Sequence, residues 1–170
     1  MVTAHAEDIP VAWPLAEVRQ RHWMRTTHLP EPPAVEVVPV PDDEVTRLLD
    51  VVAPDSHARP GTPGMEAWLG VRDADQLVAV GGVLRQPDGT GHVRAVAVAP
   101  DHRGRGLGRE LSQALTRMAM ADTGVASLGV YVDNEAALRT YRGLGYDVVH
   151  TFTSGPVTGS SSTTAVAPSR

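Results

Sequence analysis

The sequence predicts an α/β fold: one mixed, mostly antiparallel sheet with helices on both faces. Three observations carry this. β-Branched apolar runs of strand length recur from Val35 to Thr153. In the second half they alternate with two apolar stripes of helical period, which makes strand–helix–strand units with right-handed crossovers. In the middle, the turns Asp73-Ala74-Asp75 and Gln86-Pro87-Asp88-Gly89 join consecutive strands into a meander.

In chain order, residues 1–33 read as an N-terminal arm. Pro10, Pro14, Pro30, Pro32 and Pro33 break regular structure, and Glu17 to Arg25 reads as a short helix with Val18, Trp23 and Met24 partly buried. Trp13 and Trp23 would pack the arm onto the domain. A contact between two copies in a homodimer stays open for it, as does the remnant of a longer N-terminal half.

The domain proper reads as residues 34–154. Val35 to Val40 is a first strand. Asp42 or Asp43 caps a helix from Glu44 to Val52, with Val45, Leu48, Leu49 and Val52 on one face. Pro54 to Gly64 is an irregular loop, long enough to carry function. Strands follow at Ala67 to Arg72, Gln76 to Arg85 and Gly91 to Ala99. The last is continuously apolar toward its end, as a strand buried on both faces should be. A helix from Gly106 to Asp122 shows Leu107, Leu111, Ala114, Leu115 and Met118 on one face and Gly124 as its C-cap. Ser127 to Val132 is a strand. Asp133 or Asn134 caps a helix to Leu144 that Gly145 ends, and Tyr146 to Thr153 is the last strand. Residues 155–170, rich in Ser, Thr, Gly and Pro, read as a disordered tail.

The 170 residues suit one domain. A net charge of −5 argues against a general nucleic-acid partner. With no cysteine, disulfides, Cys-based zinc sites and a Cys nucleophile are excluded, and the seven histidines show no metal-ligand spacing. No apolar run reaches the ~18 residues of a membrane span and no signal peptide is recognised, so no membrane partner is expected and the location expected is cytoplasmic. All fifteen basic residues are arginine, which reads as codon bias.

The most informative stretch runs from Val96 to Gly108: an apolar strand end, a turn at Pro100, then glycines at 104, 106 and 108 before a helix. Helix N-terminal amides have no partner inside the helix, and the dipole adds about half a positive charge there. Glycines let backbone approach a ligand closely. Together these make a seat for a phosphate or pyrophosphate, flanked by Arg103, Arg105 and Arg109. A Walker loop would need Lys-Ser/Thr after Gly108, where Arg109-Glu110 stands. A dinucleotide loop G-x-G-x-x-G would need glycine at Arg109 and its first glycine directly after the strand.

What remains, Arg-Gly-x-Gly-x-Gly after a V-x-V-x-P strand, resembles the acetyl-CoA loop of the GNAT superfamily of N-acetyltransferases. A second stretch agrees: Tyr131 to Tyr146 is similar to the family's Asn-x-x-Ala-x-x-x-Tyr-x-x-x-Gly-aromatic signature, with Asn134, Ala137, Tyr141, Gly145 and Tyr146 in place. The resemblance covers about Val35 to Phe152 and is closest to the subgroup resembling the C-terminal part of glycine N-acyltransferases. It implies that the fourth and fifth strands of the domain splay apart to admit the pantetheine arm of acetyl-CoA. It also implies roles. Backbone amides of Arg103, Gly104, Arg105, Gly106, Leu107 and Gly108 would hold the pyrophosphate. Val96, Ala97 and Val98 would line the pantetheine, with Val96 and Val98 pairing with it in strand fashion. Asn134 would hydrogen-bond the cofactor, Tyr141 would sit at the thioester sulfur and protonate the leaving thiolate, and Tyr131 would touch substrate.

Direct acyl transfer needs a neutral amine, a polarised thioester and a proton donor for sulfur. Many such enzymes carry a glutamate base on the fourth strand; here that strand holds His92 and Arg94 and no carboxylate. His92 is the candidate base by its reference pKa, Ser56 and His57 of the long loop are candidate substrate contacts, and an amine that arrives neutral would need no base. The expectation is an N-acetyltransferase with acetyl-CoA as cofactor and a small-molecule or peptide amine as acceptor. The alternative is a non-catalytic acyl-CoA-binding sensor or regulatory module, with a partner-binding role for the Pro-rich N-terminal segment as a third reading.

Overall fold

A computed structural model describes residues 2–5 and 19–155. Its elements are β1 (Val2–His5), β2 (Arg19–Thr26), β3 (Val38–Pro39), α1 (Asp42–Val52), β4 (Met65–Asp73), β5 (Gln76–Arg85), β6 (Gly91–Val98), a 3-10 turn (Pro100–His102), α2 (Leu107–Ala119), β7 (Ala126–Tyr131), α3 (Glu135–Arg142) and β8 (Asp147–Gly155). The strands form one sheet in the order β1-β8-β2-β7-β6-β5-β4-β3. All pairs are antiparallel except β6 with β7. The mixed, mostly antiparallel sheet expected from the sequence is therefore present.

Two apolar clusters cover its faces. Val45 and Leu49 of α1 pack with Trp68 and Val80. Leu111 and Leu115 of α2 pack with Val78, Val83 and Leu128, and α3 joins this side through Leu138 and Tyr141. Gly91 lets α2 lie close to the sheet: a Cβ there would stand 2.3 Å from the Ala119 carbonyl oxygen.

The feature that makes a site is a parting of β6 from β7. The two are paired only at Gly91–Ala126, His92–Ser127 and Val93–Leu128. Beyond that point β6 continues against β5 to Val98, and β7 continues against β2 to Tyr131. The cause lies in β6. Its register against β5 jumps between Gly82–Arg94 and Val80–Ala97, and Ala95 sits in the left-handed region at φ 53°. An extra residue on one strand of a pair bends that strand and leaves its backbone groups without a ladder partner. These are the strands read as fourth and fifth in the domain, and they splay.

Several expectations are corrected. The stretch read as a helix at Glu17 to Arg25 is, from Arg19, the strand β2, held between β7 and β8. The first strand shrinks from Val35–Val40 to Val38–Pro39, because Pro39 and Pro41 offer no amide to a ladder. At α1 the N-cap is Pro41 and neither aspartate caps; Asp42, Asp43 and Glu44 lie in the first turn, where negative charge suits the helix dipole. α2 ends at Ala119, not Asp122, and Gly124 (φ 69°) closes the following turn by donating to the Met120 carbonyl at 2.8 Å. α3 ends at Arg142, with Gly143 as its C-cap. The packing read for Trp13 and the disorder read for residues 156–170 lie outside the described residues.

Candidate functional site

The glycine loop leaves β6 at Val98, passes the 3-10 turn and enters α2 through Gly106, its N-cap at φ 83°. Gly104 has φ 75°. A Cβ at either position would meet nothing within 4 Å, so these glycines serve backbone conformation and open access, not packing. Helical bonding begins with the amides of Arg109 and Glu110, which donate to the Gly106 carbonyl at 2.9 and 3.1 Å. The preceding amides have no acceptor inside the helix and sit at its positive end. Of the flanking arginines, Arg103 folds back and donates through Nε to the Val98 carbonyl at 3.1 Å. Arg105 lines a separate cavity with Glu36, Asp73 and His102. Arg109 reaches toward the end of α3, its Nη1 3.2 Å from where a Cβ on Gly143 would stand.

From this loop a cleft of about 310 Å³ runs along the splayed strand. Val96, Ala97 and Val98 form one wall, Gly108 and Ser112 of α2 the floor, and Ala137, Thr140 and Tyr141 of α3 the other wall. Tyr141 is 9 % exposed and meets Tyr146 edge-on at 5.8 Å. Burial pushes its hydroxyl up to about 12, and a hydrogen bond with Ser112 partly offsets the rise. The phenol therefore keeps its proton at any physiological pH and can donate it in a hydrogen bond.

The cleft joins a second cavity of about 480 Å³; Val52, Ala53 and Val96 line both. Here the structure brings together Ser56, His57, His92, Tyr131 and Asn134, which the sequence scatters over 79 positions. Asn134 spends its side-chain oxygen capping α3, accepting from the Ala137 amide at 3.1 Å, and its NH₂ group is left for other partners. Ser56 donates to the Ala58 carbonyl at 3.1 Å. The Tyr131 hydroxyl accepts from Arg21, and the Arg19 and Arg21 guanidinium carbons lie 4.0 and 4.4 Å from its ring centroid.

His92 is 2 % exposed. Its ring stacks on Trp23 at 4.3 Å, and Nδ1 is 2.8 Å from Ser127 Oγ. Burial, then the nearby Arg94 charge, pushes its pKa down to about 3. The ring is neutral near pH 7 and is a weak base there. The same depression has a stability consequence. As pH falls below about 6.5 the unfolded chain binds a proton that the folded ring refuses, so stability is lost between about pH 6.5 and 3. By pH 5 this amounts to about 2 kcal/mol. Denaturant melts at pH 7.5 and 5.0 are expected to show a clearly smaller acid loss for His92→Gln than for wild type. Equal losses in the two proteins would mean that His92 titrates normally in the fold.

Sequence reading missed three contributions. The first is β2, which supplies Arg19, Arg21 and Trp23. Arg19 to His22 are all polar, so no apolar alternation marks the strand, and the flanking prolines read as a break. The second is Arg59, which pins the loop after α1 by pairing with Asp50 at 2.7 Å and donating to the Ala53 and Pro54 carbonyls at 3.3 and 2.8 Å. The third is Ser112, hidden in the helical stripe beneath Tyr141.

The aligned relatives include a mycothiol acetyltransferase of Corynebacterium jeikeium, 44 % identical over 64 residues that span 36 % of this chain and 18 % of that protein. They also include the N-alpha-acetyltransferase RimI of Mycobacterium tuberculosis, 36 % identical over 85 residues, 48 % of this chain and 52 % of that one. The chain thus spans about a fifth to a half of these curated relatives. Among solved structures, a putative GNAT-family acetyltransferase from Novosphingobium aromaticivorans superposes with a TM-score of 0.72 at 25 % identity, over 85 % of this chain and 66 % of that one. The sequence model of the acetyltransferase (GNAT) family matches residues 18–146, and the chain belongs to that family.

Proposed function

We propose that the protein transfers an acetyl group from acetyl-CoA directly to a primary amine, on a small molecule or at a peptide N-terminus. One observation carries the reading. The two ends of the glycine loop at Arg103 and Gly108, the edge of β6 that has left β7, and Tyr141 line a single cleft that opens into a second cavity. The loop amides suit a diphosphate. The free edge from Val96 to Val98 suits the two amide groups of pantetheine, which pair as a strand would. Both features fit acetyl-CoA, whose acetyl thioester supplies the activated acyl group.

In this reading the second cavity holds the amine. Its nitrogen attacks the acetyl carbon, a C–N bond forms and the C–S bond breaks. Tyr141 meets the sulfur as negative charge develops on it. A phenol near 12 facing a thiol of reference pKa ~8.5 gives up its proton uphill by about 5 kcal/mol. Tyr141 therefore acts mainly by a strong hydrogen bond to the departing thiolate, and the proton lost by nitrogen completes the thiol. The base role read for His92 becomes that of a neutral ring lining the amine cavity, so the amine reacts in its neutral form.

Two measurements test this together. Calorimetry is expected to show acetyl-CoA binding, and thiol release is expected to rise above background hydrolysis with at least one member of an amine panel. Binding without release on any amine would favour the acyl-CoA-binding module. Absence of binding would remove both readings.

A further inference from the structure

The amine cavity has an unusual charge. Among the described residues three guanidinium groups line it, from Arg19, Arg21 and Arg94, with one carboxylate, Asp55. The whole chain carries −5, so this local excess runs against the composition. Elsewhere arginines are matched with acids: Arg47 with Asp43, Arg59 with Asp50, Arg72 with Glu44, Arg85 with Glu66. Among the described residues neither Arg21 nor Arg94 forms an ion pair. Arg21 gives one donor to the Tyr131 hydroxyl, and its Nε is buried with no hydrogen-bond partner among the described residues. A buried donor left without an acceptor costs free energy, and a charged one costs more. Arg94 is crowded by Arg21, whose charge adds to burial in lowering its pKa.

From this arrangement we infer that the acceptor is an amine that carries its own anion, a carboxylate or a phosphate, seated on Arg21 and Arg94 while its nitrogen points toward Tyr141. A planar guanidinium matches either oxyanion with paired N–H donors. The same positive field disfavours an ammonium ion beside it, which lowers the amine's pKa and helps it arrive neutral. That would compensate for the lack of a carboxylate base on β6. The inference rests on the acetyl-transfer reading for its reaction, but the charge preference can be measured without turnover.

The experiment has two arms on the full chain with CoA bound. Calorimetry compares a panel of free α-amino acids with their α-carboxamides, and phosphoethanolamine with ethanolamine. The expected result is at least tenfold tighter binding for the best anionic member than for its neutral counterpart. The pair that responds distinguishes carboxylate from phosphate. Arg94→Gln is expected to cut that preference at least fivefold and Arg94→Lys to retain most of it, with acetyl-CoA affinity unchanged in both; Arg21→Gln repeats the test at the second site. Neutral amines that bind as well as anionic ones would overturn the inference, as would an anion preference untouched in Arg94→Gln and Arg21→Gln. The second arm follows thiol release on the same panel. Anion-selective binding with no release on any amine would refute acetyl transfer and uphold the cationic seat. Release confined to neutral or cationic amines would uphold transfer and refute the seat.

Discussion

Gly106→Val is expected to weaken acetyl-CoA binding by at least about a hundredfold, close to 3 kcal/mol. Two effects combine. Gly106 sits at φ 83°, where a side chain costs roughly 1–2 kcal/mol and a β-branched one more, so the loop must leave its conformation. That movement re-aims the amides of Leu107 and Gly108 just ahead of the first helical bonds. A Cβ at this point also enters open space, which is where a guest must approach. The protein should still fold, because a Cβ at Gly106 meets nothing within 4 Å, so a thermal melt serves as the control. Gly104→Ala, with the strain but less bulk, is expected to be milder. A calorimetric Kd unchanged in Gly106→Val would disprove the backbone cradle.

Tyr141→Phe is expected to lower kcat at least tenfold while leaving acetyl-CoA affinity within about twofold, in line with the ~10²–10³-fold cost of removing one hydrogen-bond donor aimed at developing charge. The ring's packing against Tyr146 survives the change, and only the hydroxyl and its Ser112 partner are lost. Because the hydroxyl lies up at about 12, wild-type kcat should show no alkaline loss from Tyr141 below about pH 11. Stopped assays with a saturating amine separate kcat from KM. An undiminished kcat in Tyr141→Phe would take the residue out of the reaction.

What could be read from sequence was whatever local chemistry specifies. The glycines at 104, 106 and 108, the two helical stripes and the Asn134-to-Tyr146 run are each local, within about fifteen residues, and the helices they mark are present with shorter C-terminal ends than read. The parting of the strands was legible only through family resemblance. Its cause, a left-handed alanine at 95, leaves no mark in a run of small apolar residues. The second cavity was least legible. Ser56, His57 and Tyr131 were singled out one by one, but their meeting depends on β2, whose strand partners lie more than a hundred residues away. Proline-rich flanks made that segment look like an arm, and so the arginines it brings were missed.

That same placement sets an order of assembly. A ribosome emits Arg19–Thr26 about a hundred residues before the segments that clasp it, Ala126–Tyr131 and Asp147–Gly155. Long-range closures of this kind are slow compared with local hairpins and crossovers. The meander, the glycine loop and its helix can therefore organise first, whereas Arg21 reaches Tyr131 only after β7 has followed them out. Nascent protein should gain the ability to grip a nucleotide thioester before it gains any discrimination among amines.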